Sequence, residues 1–498
     1  MSAGAAIAAA AAALAVLAGA VVAGPPHRFL TLLLLAGVAG CVGAVVLANW
    51  RLGVYALLAW LVIEDLPRKF LGNDMRLYFV KDALAVMLYL AFLAARMRGR
   101  ESLPLPRAGF WAPLLVFAGW GLAQVFNPRS PSVVYGLLGL RMYFFYVPLL
   151  FVGYALLRGE HDLRKFLAFN LGLATVIAGL GIVQGIVGLD FLNPATLAPE
   201  LEPLGRLVRQ APISGALVPR PTSVFVSDGR FAWYLLVMFL VGLGALVSLA
   251  ASRARGVRMA VLAVGVIVTA IVLSGSRGTF AYMLGSAGVL AGAFIVGGGP
   301  RMRWRASSAL ALMLAGGGLI LVAVLTLYPE AVGARWSFYY ETIAPWSPTS
   351  ELAWRTWGYP VANLLGAFAV DGWALGYGIG TSSLGVQYVT DLLGLPAPGI
   401  GVESGYGTLI LELGVAGPAL WLLWTTALVR EGWKAVRRLR RTALFPLGFA
   451  ILWFAFLLLF PFTFGGMQPY QNYVFNAYLW LLAGVLLRLP DLVQAPGR

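Results

Sequence analysis

Long apolar runs follow one another along most of the chain and are separated by short polar or glycine-rich segments. A helix needs about 20 predominantly apolar residues to cross a bilayer, and most of these runs are close to that length. They do not alternate apolar and polar residues, as the strands of a membrane β-barrel would. The pattern predicts about fourteen membrane-spanning helices, at 4–23, 29–48, 51–65, 78–95, 110–126, 133–157, 165–188, 231–250, 257–275, 278–297, 306–327, 404–429, 443–462 and 471–488.

Two connections, 189–230 and 328–403, are much longer than the others. The first is rich in proline and the second in proline, glycine and aromatic residues, and neither is of low complexity, so we expect ordered caps, the second partly helical. The first apolar run lacks a basic leader and continues into the next run, which is not typical of a cleaved signal peptide. We therefore expect an all-α, polytopic bundle over 1–498, forming one integral-membrane domain.

The basic residues predict the orientation of the helices, because cytoplasmic loops are enriched in Lys and Arg. With both termini in the cytoplasm, 22 of the 36 Lys and Arg residues face inward and 13 outward, and one, Arg141, lies within a span. Both long connections then face outward. The net charge of +16 reflects this topology and contact with anionic lipids, so we expect no nucleic-acid partner.

The reactive side chains exclude several classes of protein. Cys41 is the single cysteine, so no internal disulfide can form, and His27 and His161 fall on opposite predicted sides of the membrane. This argues against a Cys/His zinc site and against a Ser-His-Asp hydrolase. The chain also lacks the glycine-rich loop with lysine that cradles ATP phosphates. We expect neither a metal nor a cofactor.

Arg141 lies inside a predicted span, within Gly139–Tyr143. An arginine at that depth costs several kcal/mol unless an anion accompanies it. An ion pair with Asp82 or Glu64 is the simpler interpretation and is favoured for Arg141 alone. Contact with an anionic ligand is the other.

Two further arginines stand at predicted outer helix ends. Arg277 lies in Ser274–Thr279, between two spans, and Arg220 opens the segment that leads into the span at 231–250. Arginine suits phosphate because its planar fork donates two parallel hydrogen bonds and stays protonated. An ordinary turn with an arginine reaching to the interface is the simpler interpretation of the first motif. Asp228 is expected to cap the following helix.

The second long connection is dense in aromatic residues around Arg355 and ends at Glu403. These aromatics could form an interfacial belt or stack on sugar rings. Their density in one loop favours sugars, with Trp354, Trp357 and Tyr377 as candidate glycan-binding residues. Glu403 begins a predicted span, where the helix dipole alone would favour a carboxylate.

Taken in order over roughly 133–429, these motifs resemble the O-antigen ligase and Wzy-type polysaccharide polymerase superfamily. The matching stretches are Arg220–Ala232, Ser274–Gly278, Arg355, Gly376–Thr381 and Glu403–Gly417. The resemblance implies an all-helical GT-C-type fold in the bacterial inner (cytoplasmic) membrane. It also implies an outward active site that takes an undecaprenyl-diphosphate-linked oligosaccharide and a glycan acceptor, alongside other polysaccharide-assembly proteins.

The chain departs from the family where a His-Asn pair is replaced by Glu403-Ser404. Glutamate can still accept a proton from an acceptor hydroxyl, so the departure favours a chain polymerase over a ligase. The resemblance implies a metal-independent, inverting glycosyltransferase with Glu403 as general base. Should Glu403 not serve, Asp228 or Asp371 would be the next candidate base. The diphosphate would be bound by Arg277, Arg220 and Arg355, with Arg141 as a deeper contact.

Two other functions stay open from the sequence. One is an O-antigen ligase acting on another acceptor, and the other is a lipid-linked glycan flippase or secondary transporter. About fourteen spans and an intramembrane Arg141 suit a transporter. Transporters, however, commonly show repeat symmetry with polar residues at the midplane. Here the polar residues gather under the two long connections, which favours an enzyme.

Overall fold

The structure is a computed structural model, and it describes residues 42–71, 75–99, 108–194, 204–254, 256–299 and 325–494, with isolated positions at 40 and within 304–323. The predicted spans at 4–23 and 306–327 lie wholly or largely outside the described residues, as does most of the span at 29–48. The described chain is helical over most of its length.

Helices of the first half follow the predicted apolar runs closely. Polar residues cap several of them, as Asn49 does by accepting hydrogen bonds from the backbone nitrogens of Arg51 and Leu52 at 3.1 and 3.4 Å. The helices are α1 (Trp50–Ile63), α2 (Asp65–Phe70), α3 (Met75–Tyr78), α4 (Val80–Met97), α5 (Trp111–Gln124), α6 (Val133–Phe144), α7 (Leu149–Leu156) and α8 (Glu160–Val187).

The second half contains the most deeply buried of the long helices and the short helices of the second connection. They are α9 (Asp228–Ser252), α10 (Val257–Leu273), α11 (Arg277–Gly297), α12 (Pro329–Ile343), α13 (Tyr359–Phe368), α14 (Val386–Leu393), α15 (Gly405–Leu413), α16 (Ala416–Arg438), α17 (Phe445–Leu457), α18 (Thr463–Gly465), α19 (Gln468–Gln471) and α20 (Tyr473–Gln494). The described chain also contains a 3-10 turn at Leu204–Leu207 and π-helical turns at Trp354–Gly358 and Leu458–Phe462.

Six helical segments among the described residues are long and apolar enough to cross a membrane. They are Val133–Leu156, Glu160–Val187, Asp228–Ser252, Arg277–Gly297, Phe445–Gly465 and Tyr473–Gln494. The all-α membrane class is therefore confirmed, while the helix count of about fourteen stays a prediction.

One predicted span has a different form in the structure. The run 404–429 is divided into α15 and α16, because Gly414 adopts a positive φ of +69° at the break. The backbone nitrogen of Gly414 also lies so close to Gly376 that a side chain at Gly376 would clash with it. Because glycine adopts this conformation without steric cost, the helix can break here. The break lets the Ala374–Gly376 segment of the second connection pack against Gly414.

The first long connection contains a small antiparallel sheet of β1 (Val208–Gln210) and β2 (Leu217–Pro219), with Val208 opposite Pro219. The second connection packs directly against it. Glu341 of α12 accepts hydrogen bonds from the backbone nitrogens of Ile213 and Ser214 at 2.7 and 3.1 Å. The two long connections therefore lie at the same end of the bundle.

Other helix termini lie at the end of the bundle opposite the two long connections. The backbone nitrogen of Arg441 donates to the carbonyl of Gly297 at 3.3 Å. The Arg488 side chain donates to the carbonyl of Leu157 at 3.1 Å. Arginines thus lie at the end away from the long connections, as the charge pattern requires. Which end faces the cytoplasm stays a prediction.

Candidate functional site

Helix α12 organises the end of the bundle where the long connections meet. Its Arg335 is only 1% exposed and donates to the carbonyls of Leu273 at 2.6 Å and Pro219 at 3.0 Å. One guanidinium thus fixes both the end of α10 and the end of β2, which directly precede Arg277 and Arg220. The sequence analysis did not single out Arg335, because an isolated arginine in a loop gives no sign that it will bind backbone carbonyls.

The turn that carries Arg277 depends on glycine. Gly275 has φ +66°, and a side chain there would come within 3.0 Å of Cγ of Arg220 and 2.9 Å of Cγ1 of Val218. The missing Cβ therefore allows the 218–220 segment to pack against the turn. Arg277 is the first residue of α11 and so stands at a helix N-terminus.

Arg220 contacts an acidic partner on the next helix. Its Nη2 lies 2.5 Å from Oδ2 of Asp228, and both side chains are mostly buried. Asp228 was expected to cap α9, but Ser227 does so instead, accepting from the backbone nitrogen of Arg230 at 3.3 Å. The cap falls one residue earlier because Asp228 already has helical geometry, and its carboxylate is free to pair with Arg220.

A shared carboxylate joins the other two arginine candidates. Oε1 of Glu351 lies 3.1 Å from Nη1 of Arg277, and its Oε2 lies 3.0 Å from Nε of Arg355. Burial alone would raise the pKa of Glu351, but the hydrogen bonds from Arg277 and Arg355 outweigh it and hold that pKa below its usual value. Glu351 is therefore an anion placed between two cations, and the sequence analysis missed it.

Tyr359 connects Arg355 to Glu403. The guanidinium of Arg355 lies 5.4 Å from the centre of the Tyr359 ring, and the Tyr359 hydroxyl donates to Oε2 of Glu403. That hydrogen bond raises the pKa of Tyr359, so its hydroxyl remains a donor. The backbone nitrogen of Glu403 also donates to Oδ1 of Asn363 at 3.1 Å. Two residues of α13 therefore orient Glu403.

The residues Arg277, Glu351, Arg355, Tyr359 and Glu403 are called the arginine–glutamate line below. Three of them were sequence candidates, and they come from three separate stretches of the chain. Glu351 and Tyr359 are the connecting residues. A glutamate four positions before Arg355 was the only sequence signal for Glu351, since such pairs commonly meet on a helix.

Exposed tryptophans border this line. Trp354 and Trp357 are 53% and 69% exposed and belong to the π-helical turn that carries Arg355. The ring of Trp354 packs edge-on against Tyr359 at 6.2 Å, and that of Trp357 lies 5.5 Å from Phe464. Tyr377 lies elsewhere, since its ring is 5.8 Å from Arg129 and its hydroxyl donates to a backbone carbonyl.

The Gly376–Thr381 stretch is hydrogen-bonded to the end of α15. The backbone nitrogens of Tyr377 and Gly378 donate to the carbonyls of Leu411 and Glu412 at 2.7 and 3.1 Å. The buried carboxylate of Glu412 in turn accepts from the Tyr143 hydroxyl at 2.9 Å. The Gly376–Thr381 and Glu403–Gly417 stretches therefore pack on each other.

Arg141 has a different environment. Its Nη2 lies 2.6 Å from Oδ2 of Asp82, and its guanidinium is 5.1 Å from the ring centre of Tyr78. This is one of the two ion pairs expected for Arg141. With Asp82 as partner, Arg141 needs no ligand to offset its burial.

Among the described residues, no group of three or more His, Cys, Asp and Glu side chains is placed to hold a metal ion. Comparisons with protein-family models, with curated proteins and with solved structures find no match for this chain.

Proposed function

We propose that the protein transfers a glycan from an undecaprenyl-diphosphate-linked donor to an acceptor hydroxyl, and so polymerises repeat units of a cell-surface polysaccharide. The reaction takes place at the outer face of the bacterial cytoplasmic membrane, in a GT-C-type bundle. The observation that carries the proposal is the arginine–glutamate line, which joins candidate diphosphate ligands to a candidate base on an open surface.

The arginine end of the line suits a leaving diphosphate. Arg277 stands at the N-terminus of a 21-residue helix, where unpaired backbone N–H groups also favour an anion. Arg355 is next to it across Glu351, and Arg220 is close enough for its charge to interact with that of Arg277. Fixed cations of this kind stabilise the charge that develops as the diphosphate departs.

The glutamate end suits proton removal. The bond between the anomeric carbon and the diphosphate oxygen breaks, and the lipid diphosphate leaves with the electron pair. The acceptor oxygen attacks from the opposite face, which inverts the configuration, and its proton passes to Glu403. The second carboxylate oxygen of Glu403 is free for this task, because Tyr359 donates to Oε2.

Trp354 and Trp357 complete the proposal. They lie next to Arg355 with their faces largely uncovered, so they can stack against sugar rings of the donor close to its diphosphate. Tyr377, which contacts Arg129, would reach the glycan only at a distance from these two tryptophans.

The test uses purified protein with an undecaprenyl-diphosphate oligosaccharide and measures chain length. Glu403→Gln keeps the shape and loses proton acceptance, so we expect turnover to fall about 10²–10⁴-fold with donor binding retained. Arg277→Lys should fail nearly as badly as Arg277→Ala, because lysine keeps the charge and loses the two-pronged donor.

Glu330→Gln, at an exposed position on α12, is the matched control and should leave the product unchanged. Every variant is first checked for normal amount in the membrane. Normal polymer from Glu403→Gln would remove Glu403 from the mechanism and direct attention to Asp228 or Asp371. Activity should persist in a chelator, and loss restored by one divalent cation would overturn the metal-independent mechanism.

A further inference from the structure

A cavity of about 280 Å³ lies beside Glu403, and none of the candidate arginines lines it. It is bounded by the segment 382–386, by the chain approaching Glu403 from 398 onward, and by 467–471. None of the three segments belongs to a sequence motif considered for the donor. The cavity is slightly smaller than the roughly 300–1,000 Å³ of ordinary small-molecule pockets.

The lining of the cavity has two chemically different sides. Polar side chains are contributed by Glu403, Ser382, Gln468 and Gln471. Apolar surface is contributed by Pro398, Ile400, Val402 and Met467. A sugar ring presents the same two kinds of surface, with hydroxyls around its edge and C–H groups on its faces.

Two lining residues carry buried polar atoms that make no hydrogen bond. These atoms are Oγ of Ser382 and Nε2 of Gln471, whose side chain is only 6% exposed. Gln471 is held in place because its Oε1 accepts from the backbone nitrogen of Leu384 at 3.1 Å. Its amide nitrogen lies near the Tyr143 hydroxyl, which already donates to Glu412. Buried polar atoms are rarely left unsatisfied, so the Ser382 hydroxyl is available to a polar ligand.

We propose that this cavity binds the terminal sugar of the acceptor glycan. Gln471 and Ser382 hydrogen-bond its non-reacting hydroxyls after small side-chain rotations, Gln468 lies at the exposed rim, and the reacting hydroxyl faces Glu403. The volume is of the order of one sugar ring and the cavity is open to solvent on one side, so the rest of the acceptor extends outward. The inference rests on the proposed function, since it assigns the acceptor to a cavity that Glu403 lines and the candidate diphosphate ligands do not.

The test measures binding without turnover. In a Cys41→Ala background, Gln468→Cys places a single thiol on the exposed rim of the cavity, and its reaction with a small thiol reagent is timed. The probes are methyl glycosides of a hexose, a deoxyhexose, an N-acetylhexosamine, a uronic acid and a pentose. At least one should slow the reaction severalfold, whereas acyclic mannitol should not. Ser214→Cys, exposed on the other long connection, should react at a constant rate throughout.

Ser382→Ala then tests the polar lining. Its hydroxyl has no internal partner, so alanine should fold normally, yet it should weaken protection by about 2- to 10-fold, the effect of one hydrogen bond. Thr390→Val is the matched control, because Oγ1 of Thr390 is also buried and unpaired but does not line the cavity. Equal protection in the Ser382 and Thr390 variants would overturn the role given to Ser382.

The two proposals fail in different ways. Protection by a glycoside in a protein that transfers no glycan would retain the sugar site and remove the glycosyltransferase. Glycan transfer without protection by any of the five glycosides would retain the enzyme and overturn the acceptor site. Equal protection by mannitol would also overturn it, since the cavity would then hold any polyol or only water.

Discussion

The arginine–glutamate line and a second set of charges differ mainly in burial. The second set, called the buried charge cluster, contains the ion pairs Glu64–Lys81, Asp65–Arg68, Asp65–Arg230 and Asp82–Arg141. Both regions contain a carboxylate shared by two arginines, Asp65 in one and Glu351 in the other. The side chain of Asp65 is 0% exposed, whereas those of Glu351 and Arg355 are 38% and 55% exposed.

This difference separates structural ion pairs from exchangeable ones. An exposed pair contributes little stability and can open, so a ligand phosphate can replace the Glu351 carboxylate. A buried pair leaves an unpaired charge when it opens, so the cluster stays closed. Charge pairing alone does not identify a binding site; the pairs must also be accessible. The predictions below test this contrast.

The largest stability effect is expected from Lys81→Met. Lys81 and Glu64 are both fully buried and lie 2.9 Å apart, so removing the lysine leaves a buried carboxylate without its cation. The cost should be about 3–5 kcal/mol. The measurement is the amount of folded protein in the membrane and its resistance to denaturant.

The double variant Lys81→Met with Glu64→Met is the control, since it removes both charges and keeps similar volume. It should recover most of the lost stability, because a buried pair often contributes little net free energy over apolar residues. If the double variant is as unstable as the single one, the pair has another role.

An intermediate difference in stability is expected between Arg141→Ala and Arg277→Ala. Arg141→Ala leaves Asp82 largely buried without its partner and should cost about 1–3 kcal/mol of unfolding free energy. Arg277→Ala removes a more exposed side chain and should change stability by less than about 0.5 kcal/mol. Polymer formation should show the reverse order, with the greater loss in Arg277→Ala. Equal stability losses would contradict the contrast between the two regions.

The smallest effect, a change in ligand affinity, is expected from Glu351→Gln. Removing this carboxylate frees Arg277 and Arg355, so inorganic pyrophosphate should bind about 2- to 10-fold more tightly, as expected for breaking exposed ion pairs. Isothermal titration calorimetry on purified protein measures the affinity. Glu330→Gln removes the same charge from an exposed site and should change nothing. Weaker binding in Glu351→Gln would mean that Glu351 orders the arginines and does not compete with the ligand.

The same variant gives a pH dependence. The pKa of Glu351 is lowered by its arginines, so the carboxylate remains charged above that lowered pKa. The folded-state pairing is therefore present through neutral and mildly acidic pH and is lost as pH falls through the lowered pKa. The difference in pyrophosphate affinity between wild type and Glu351→Gln should therefore be constant at neutral and mildly acidic pH. It should disappear as the pH falls through the lowered pKa of Glu351.

Local patterns were sufficient to predict much of the fold. Apolar runs predicted α4, α5 and α8 through α11 within a few residues, because a helix satisfies its own backbone and needs only a lipid-compatible surface. The sequence around Gly275 and Arg277 predicted a tight turn that carries a cation, and the structure contains this turn. The ion pair of Arg141 was also predictable, because a buried cation requires an anion.

The sequence by itself determined that this is a helical membrane protein whose two long connections carry most of the candidate site residues. Only the tertiary structure decided which of these residues meet. Glu351 and Tyr359, which link Arg277 to Glu403, contact partners up to 74 positions away. The cavity beside Glu403 is likewise formed by three separate segments. Composition and periodicity act over a few helical turns, whereas these contacts depend on how whole helices pack, which no local pattern specifies.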